Sequence, residues 1–278
     1  EHRRHIAEAR KIDPAMPAAD VAEAMMLPPR DFVGRNALIE RAAKRSPDDP
    51  AILSRLAGAL SESGRLREAV TLAGKSARLD PLSPALHSHY AATIAYAGNF
   101  EAAKRELAKA EKLWPGANSL VDAQYRFHLR YGDARIARVI FDKYNDTGGR
   151  GPRMLLAARL NPGPATIDPL MAFVRERLRK MENPSAGIGF ATTAFAQFNQ
   201  KEDFFATLLN WPKPDDLAII SEVFFRPEFK EERSDPRFLQ VAKRTGLLDY
   251  WQKSGHWPDF CFESGASYDC KAEAARLK

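Results

Sequence analysis

Apolar residues recur at helical spacing along much of this chain, and the recurrence is itself repeated. From Ala51 to Ser63 the residues Leu53, Leu56, Ala57 and Leu60 share one face. Gly64 then interrupts, and a second helical pattern runs from Leu66 to Leu79 before Asp80-Pro81 ends it. The same alternation follows over Ala85–Ala97 and Phe100–Leu113 about Gly98, and over Ser119–Tyr131 and Ala134–Tyr144 about Gly132. The three glycines are 34 residues apart, as are Ala69, Ala103 and Ala137, and Pro47, Pro81 and Pro115. A period of this length marks an array of stacked supersecondary units. Small residues (Ala57, Ala69, Ala91, Ala103, Ala137) fall where paired helices cross, and Leu72, Phe100, Leu107 and Phe141 fill the space between pairs. Each glycine is expected to turn the chain with a positive φ.

The flanks are less regular. Helical patterns are predicted over 2–12, Ala18–Leu27 and Arg30–Arg45, then over 153–160, Pro169–Met181, Ala186–Phe198 and Lys201–Leu209, the last two joined at Asn199-Gln200. Pro169–Met181 is amphipathic and basic, a pattern that suits either a solvated solenoid helix or docking on an acidic surface. Residues 216–262 are dense in aromatics, with helices expected over Pro236–Thr245, ended by Gly246, and over Leu247–Ser254. Such density suits a cover over the last exposed apolar face of an array.

The helix pairs, their period and these positions resemble the tetratricopeptide repeat family, most clearly over 50–83, 84–117 and 118–144. The resemblance implies an all-α fold, a right-handed α-α superhelix with a concave face, finished by an irregular aromatic-rich C-terminal cap. It divides the chain into an array, 1–145, and a continuous stretch of degenerate repeats and cap, 146–278. In that family the first helix of each pair lines the groove, which here gives Ser54, Gly58 and Glu62, then Ser88, Ala92 and Tyr96, then Asp122, Arg126 and Arg130. Arg126 and Arg130, one turn apart, are placed to grip a carboxylate. The implied partner is a peptide or protein segment. The Lys and Asn set that clamps a C-terminal carboxylate in chaperone-binding repeats is not reproduced.

Cys261 and Cys270 are open to two readings from their spacing, free thiols or a bridge closing a small loop. A second resemblance bears on them. Asp235-Pro236-Arg237-Phe238, Gly246-Leu247-Leu248-Asp249-Tyr250-Trp251, Trp257-Pro258-Asp259-Phe260-Cys261 and Tyr268-Asp269-Cys270 resemble the end of a group of bacterial repeat proteins. Several of those join a winged-helix DNA-binding domain and a single membrane span to an extracytoplasmic repeat domain. The resemblance implies a Cys261–Cys270 disulfide, a periplasmic location (a cytoplasmic one being the alternative), and a sensing or scaffolding role in a signalling or transcription-regulatory protein. A self-association module is the alternative role, and an enzyme is a third.

Composition changes this picture little. At 45% apolar residues and a net charge of +6 the chain can build a core, and no apolar run approaches the ~20 residues of a membrane span. The chain opens on Glu1 with no signal-like apolar stretch, so any anchor or effector domain is expected upstream. Between Arg126 and Lys180 there are 12 Lys or Arg against 5 Asp or Glu, a local excess of +7. That excess suits an acidic partner, but no nucleic-acid-binding motif accompanies it, and none is expected to bind this region directly. The glycine-rich Asn145–Pro152 lacks a phosphate-loop pattern and a preceding strand. His2 and His5 have no third ligand nearby, and the cysteines lack zinc spacing. No catalytic constellation, metal site or cofactor is expected.

Overall fold

The computed structural model describes residues 2–144, 149–180, 184–264 and 266–277, with the side chains of 184–186 outside that description. The regular structure of these residues is helical. In order it comprises α1 (His2–Ile12), α2 (Pro17–Ala24), α3 (Phe32–Arg45), α4 (Pro50–Glu62), α5 (Leu66–Leu79), α6 (Pro84–Tyr96), α7 (Phe100–Leu113), α8 (Asn118–Arg130) and α9 (Ala134–Tyr144). Then follow α10 (Arg150–Leu160), α11 (Pro164–Lys180), α12 (Pro184–Gln197), α13 (Lys201–Asn210), α14 (Pro214–Ile219), α15 (Lys230–Arg233), α16 (Arg237–Thr245), α17 (Leu247–Ser254) and α18 (Cys270–Arg276). Short 3₁₀ turns occupy Ser221–Phe225, Pro227–Phe229 and Asp259–Phe262. Parts of two expected stretches, Asn145–Pro152 and the end of Pro169–Met181, lie outside the described residues.

Local chemistry sets the helix starts. Asp49 accepts from the N–H groups of Ala51 and Ile52, and Ser83 from that of Leu86, each just before a proline at the first helical position. Proline loses nothing there, because that N–H has no intrahelical partner. Pro164 plays the same part in α11, so this helix begins five residues before the expected Pro169, which sits inside it.

The periodic glycines divide into two kinds. At Gly64 and Gly98 φ is +82° and +81°. There the N–H three residues beyond the helix reaches back five residues, Arg65 to Leu60 O (2.9 Å) and Asn99 to Ile94 O (3.1 Å), closing a Schellman turn. Gly132 departs from the expectation, since its φ is not positive. The last carbonyls of α8 are met by side chains from the second half instead. Arg159 donates from Nε to Leu129 O (2.8 Å) and from Nη2 to Arg130 O (3.4 Å). With those carbonyls satisfied, the left-handed turn is not needed. Gly132 is instead required for closeness, because a Cβ there would meet His128 Nδ1 at 2.7 Å. The left-handed turn returns at Asn199 (φ +57°) between α12 and α13, with Gln200 N–H donating to Phe195 O at 2.8 Å.

Consecutive helices pack as pairs, α2 with α3 through α8 with α9, then α10 with α11 and α12 with α13, and the pairs stack. The crossing alanines 57, 69, 91, 103 and 137 are all essentially inaccessible to water. This is a tetratricopeptide-like solenoid with an irregular, aromatic-rich C-terminal part. That part does more than cover the last repeat. The chain from Ile220 to Phe229, called here the return segment, comes back across the inner face and packs against α4, and α17 packs against α3. Trp251 Nε1 donates to Ser63 O (3.0 Å), and Asp259 N–H to Gly64 O (2.9 Å). Phe225 and Pro258 crowd Gly64 so closely that a Cβ there would lie 2.6 and 2.7 Å from them. One buried cluster therefore runs from Phe32 and Leu66 through Leu129 and Phe204 to Trp251 and Ala274.

The return segment is anchored by Phe224, Phe225 and Phe229, all buried. At about 1.5–3 kcal/mol each, these rings contribute roughly 5–9 kcal/mol. It is thus a fixed wall of the inner face and not a displaceable plug. The sulfurs of Cys261 and Cys270 lie at bonding distance, with a Cα–Cα separation of 5.7 Å. The bridge ties α18 to the segment that carries Asp259.

Candidate functional site: a trough across the inner face of α8

Helices α6 and α8 lie side by side, so residues four apart on each form parallel rows. Ser88, Ala92 and Tyr96 on α6 and Asp122, Arg126 and Arg130 on α8 line one hollow of about 380 Å³. Ala95, Ala123 and Phe127 floor it, and His89 and Tyr131 stand at its rim. Six of the nine groove residues expected from sequence are brought together here. The other three do not line it. Ser54 Oγ is hydrogen-bonded to His89 Nδ1 (2.8 Å), Glu62 is paired with Arg35 (2.8 Å), and no atom lies within 4 Å of a Cβ built on Gly58.

A second hollow, of about 430 Å³, lies on the other side of α8. Leu129, Leu155, Phe190, Ile220 and Val223 contribute to its wall, so α10, α12 and the return segment all build it. Asp122, Arg126 and Arg130 line both hollows. The two therefore form one trough crossed by a polar ridge.

The ridge is electrostatically matched from within. Arg126 Nε lies 2.8 Å from Asp122, one helical turn earlier. Arg130 Nε faces Glu228 of the return segment at 3.9 Å, and Tyr131 donates its hydroxyl to the other oxygen of that carboxylate at 2.7 Å. Burial, reinforced by the Glu228 charge, pushes the Tyr131 hydroxyl well above the usual phenol range. Arg226, also from the return segment, is paired with Glu222 at 2.9 Å and lies over the Tyr96 ring, 4.6 Å from its centroid. Burial lowers the His89 pKa, a change that the nearby Glu222 opposes. Arg126 is hydrogen-bonded to Asp122, whereas Arg130 faces Glu228 at 3.9 Å with its own Nη1 and the Glu228 Oε1 left without hydrogen-bond partners.

Sequence reading missed Arg226, Glu222, Glu228, Arg159 and His89. The signal for the first three was a charged triplet set among buried aromatics, Glu222 to Phe229. Buried charges are rare unless paired, so partners were to be sought. Which helix supplied them was not readable. The aromatic tail is turned inward, with Phe238 and Trp251 fully buried, although Phe262 is largely exposed. Among the described residues no helix is long and apolar enough to cross a membrane, and no group of three or more His, Cys, Asp or Glu is placed to hold a metal ion.

No protein-family profile matches the chain, and no curated protein matches it. Among solved structures it is similar to yeast Tom70, with 12% identity and a TM-score of 0.35 over 94% of this chain and 62% of that one. It is also similar to the structure of Naa15/Naa10 bound to HypK-THB, with 15% identity and a TM-score of 0.38 over 94% of this chain and 44% of that one. The chain thus spans less than two thirds of the length of either, and likenesses of this size add nothing to what the helix pairing already establishes.

Proposed function

We propose that this chain is a non-catalytic repeat domain that binds a peptide or protein segment in the trough across α8. The observation that carries this reading is the convergence of two adjoining hollows on Asp122, Arg126 and Arg130. Adjoining apolar hollows separated by polar groups suit successive side chains of an extended segment. The array (1–145) and the degenerate half (146–278) act in it as one unit, since the second hollow needs both.

The wider setting belongs to the same proposal. The chain is read as the sensing or scaffolding part of a bacterial signalling or transcription-regulatory protein, held in the periplasm by a membrane anchor. The joined cysteines support an oxidising compartment, and the tail motif supports the fusion. The test uses the native partner, captured by the chain and identified by mass spectrometry. Ala92→Trp fills the first hollow and is expected to abolish capture while circular dichroism stays unchanged. Undiminished capture by this variant would remove the trough as the site.

A further inference from the structure

The charge state of the trough constrains what it can take. Each side of the ridge is apolar, with Ala92, Ala95, Ala123 and Phe127 in one hollow and Leu129, Leu155, Phe190, Ile220 and Val223 in the other. The trough carries three guanidinium groups, Arg126 and Arg130 on the ridge and Arg226 in the second hollow, and each faces a carboxylate, Asp122, Glu228 and Glu222 respectively. A ligand carboxylate that took Arg130 or Arg226 would leave Glu228 or Glu222 unmatched. For Glu228, whose side chain is 9% exposed, that loss falls on a buried charge. A ligand ammonium meets the mirror-image obstacle at the carboxylates. A ligand without charge disturbs none of the three pairs.

We propose, resting on the reading of the trough as a peptide site, that its occupant is an extended uncharged segment with one apolar side chain in each hollow. The acidic partner suggested by the basic excess of the sequence is therefore not the one this trough selects. The hollows, about 380 and 430 Å³, stand at the small end of ligand cavities, so each has room for a large apolar side chain. The segment crosses α8 at Arg126 and Asp122, both about half exposed. Arg126 turns its Nε to Asp122, and the outer edge of its guanidinium can donate to a backbone carbonyl of the crossing strand.

The test uses the full chain and fluorescent, end-blocked peptides of Gly, Ser and Gln carrying two Phe or Leu residues at varied separation. Matched peptides carry one Glu or one Lys between the apolar pair. The expected result is saturable binding of the uncharged set, weaker by about tenfold for the Glu or Lys version, and nearly independent of salt. Asp122→Asn releases Arg126 at an exposed position, and the ratio of Glu-peptide to uncharged-peptide affinity is expected to rise about tenfold. Ala92→Trp and Gly189→Trp each fill one hollow and should each weaken the uncharged peptide. A Cβ at Gly189 meets only Ile220, at 3.5 Å, an ordinary van der Waals contact.

Tighter binding of the Glu peptide by the unaltered chain, with steep loss in salt, would overturn this inference and leave the peptide site standing. Loss of binding in one Trp variant but not in the other would overturn the two-hollow arrangement. If no peptide of any charge binds, the peptide reading itself falls.

Discussion

Arg226 lies over the ring of Tyr96 with its guanidinium carbon 4.6 Å from the ring centroid. The two residues are 130 positions apart in sequence, one on the return segment and one on the inner face of α6. Together with the Glu222 pair, this contact fixes the return segment to α6.

Removing that cation should therefore cost stability as well as shape. Arg226→Ala leaves Glu222 without its partner and removes the contact with Tyr96, and the expected loss is ~2 kcal/mol of unfolding free energy. Arg226→Lys keeps a charge but loses the planar stack, and should fall between the two. Urea titration of the three proteins is the measurement, and equal midpoints would show that the contact is idle.

The two kinds of periodic glycine predict opposite responses to asparagine. Gly98 is left-handed and has open space at its Cβ position. Gly98→Ala should cost about 1–2 kcal/mol from backbone strain, and Gly98→Asn should recover much of it, because asparagine tolerates that region. Gly132 is not left-handed and is crowded by His128. There asparagine should be no better than alanine. Rescue at both positions, read by thermal unfolding, would contradict the distinction.

Arg159 caps α8 from α10. Its burial without a carboxylate lowers its pKa, although it stays charged throughout the accessible range. Arg159→Met removes the donors at similar length and should cost ~1–3 kcal/mol. Amide exchange should accelerate first around 130–135, which is the signature of an uncapped helix end.

Acid should weaken the fold earlier than its carboxylates alone would dictate. Burial lowers the pKa of both His89 and His128. The unfolded chain takes up protons at these positions near pH 6.5, and the folded chain resists doing so. Their stability contribution is therefore full above that pH and declines as pH falls from about 6.5 toward the lowered folded values. His89→Gln should flatten the slope of unfolding free energy against pH in that window. An unchanged slope in the double variant with His128→Gln would exclude both groups.

Reduction of Cys261–Cys270 should release α18 and little else. Cys270 and Ala274 are the buried residues of that helix, so few contacts hold it once the bridge opens. A bridge across so short a loop contributes about 3 kcal/mol in the chain-entropy account. Added reductant should raise exchange over 270–276 while the core around Trp251 keeps its protection.

Read alone, the sequence determined the helix pairs and their register. The 34-residue period, the Ser-Pro and Asp-Pro starts and the small residues at 57, 69, 91, 103 and 137 are local or nearest-neighbour features, and these fix a solenoid. It also placed the right side of α6 and α8 inward, since helical spacing ties Ser88, Ala92 and Tyr96 to one face. Tertiary structure alone decided what that face meets. The return of Phe224, Phe225 and Phe229 onto α4, the matching of Arg130 by Glu228 and the capping of α8 by Arg159 join residues far apart in the chain. No periodicity encodes such contacts, because they depend on where the irregular half comes back and not on how either half repeats.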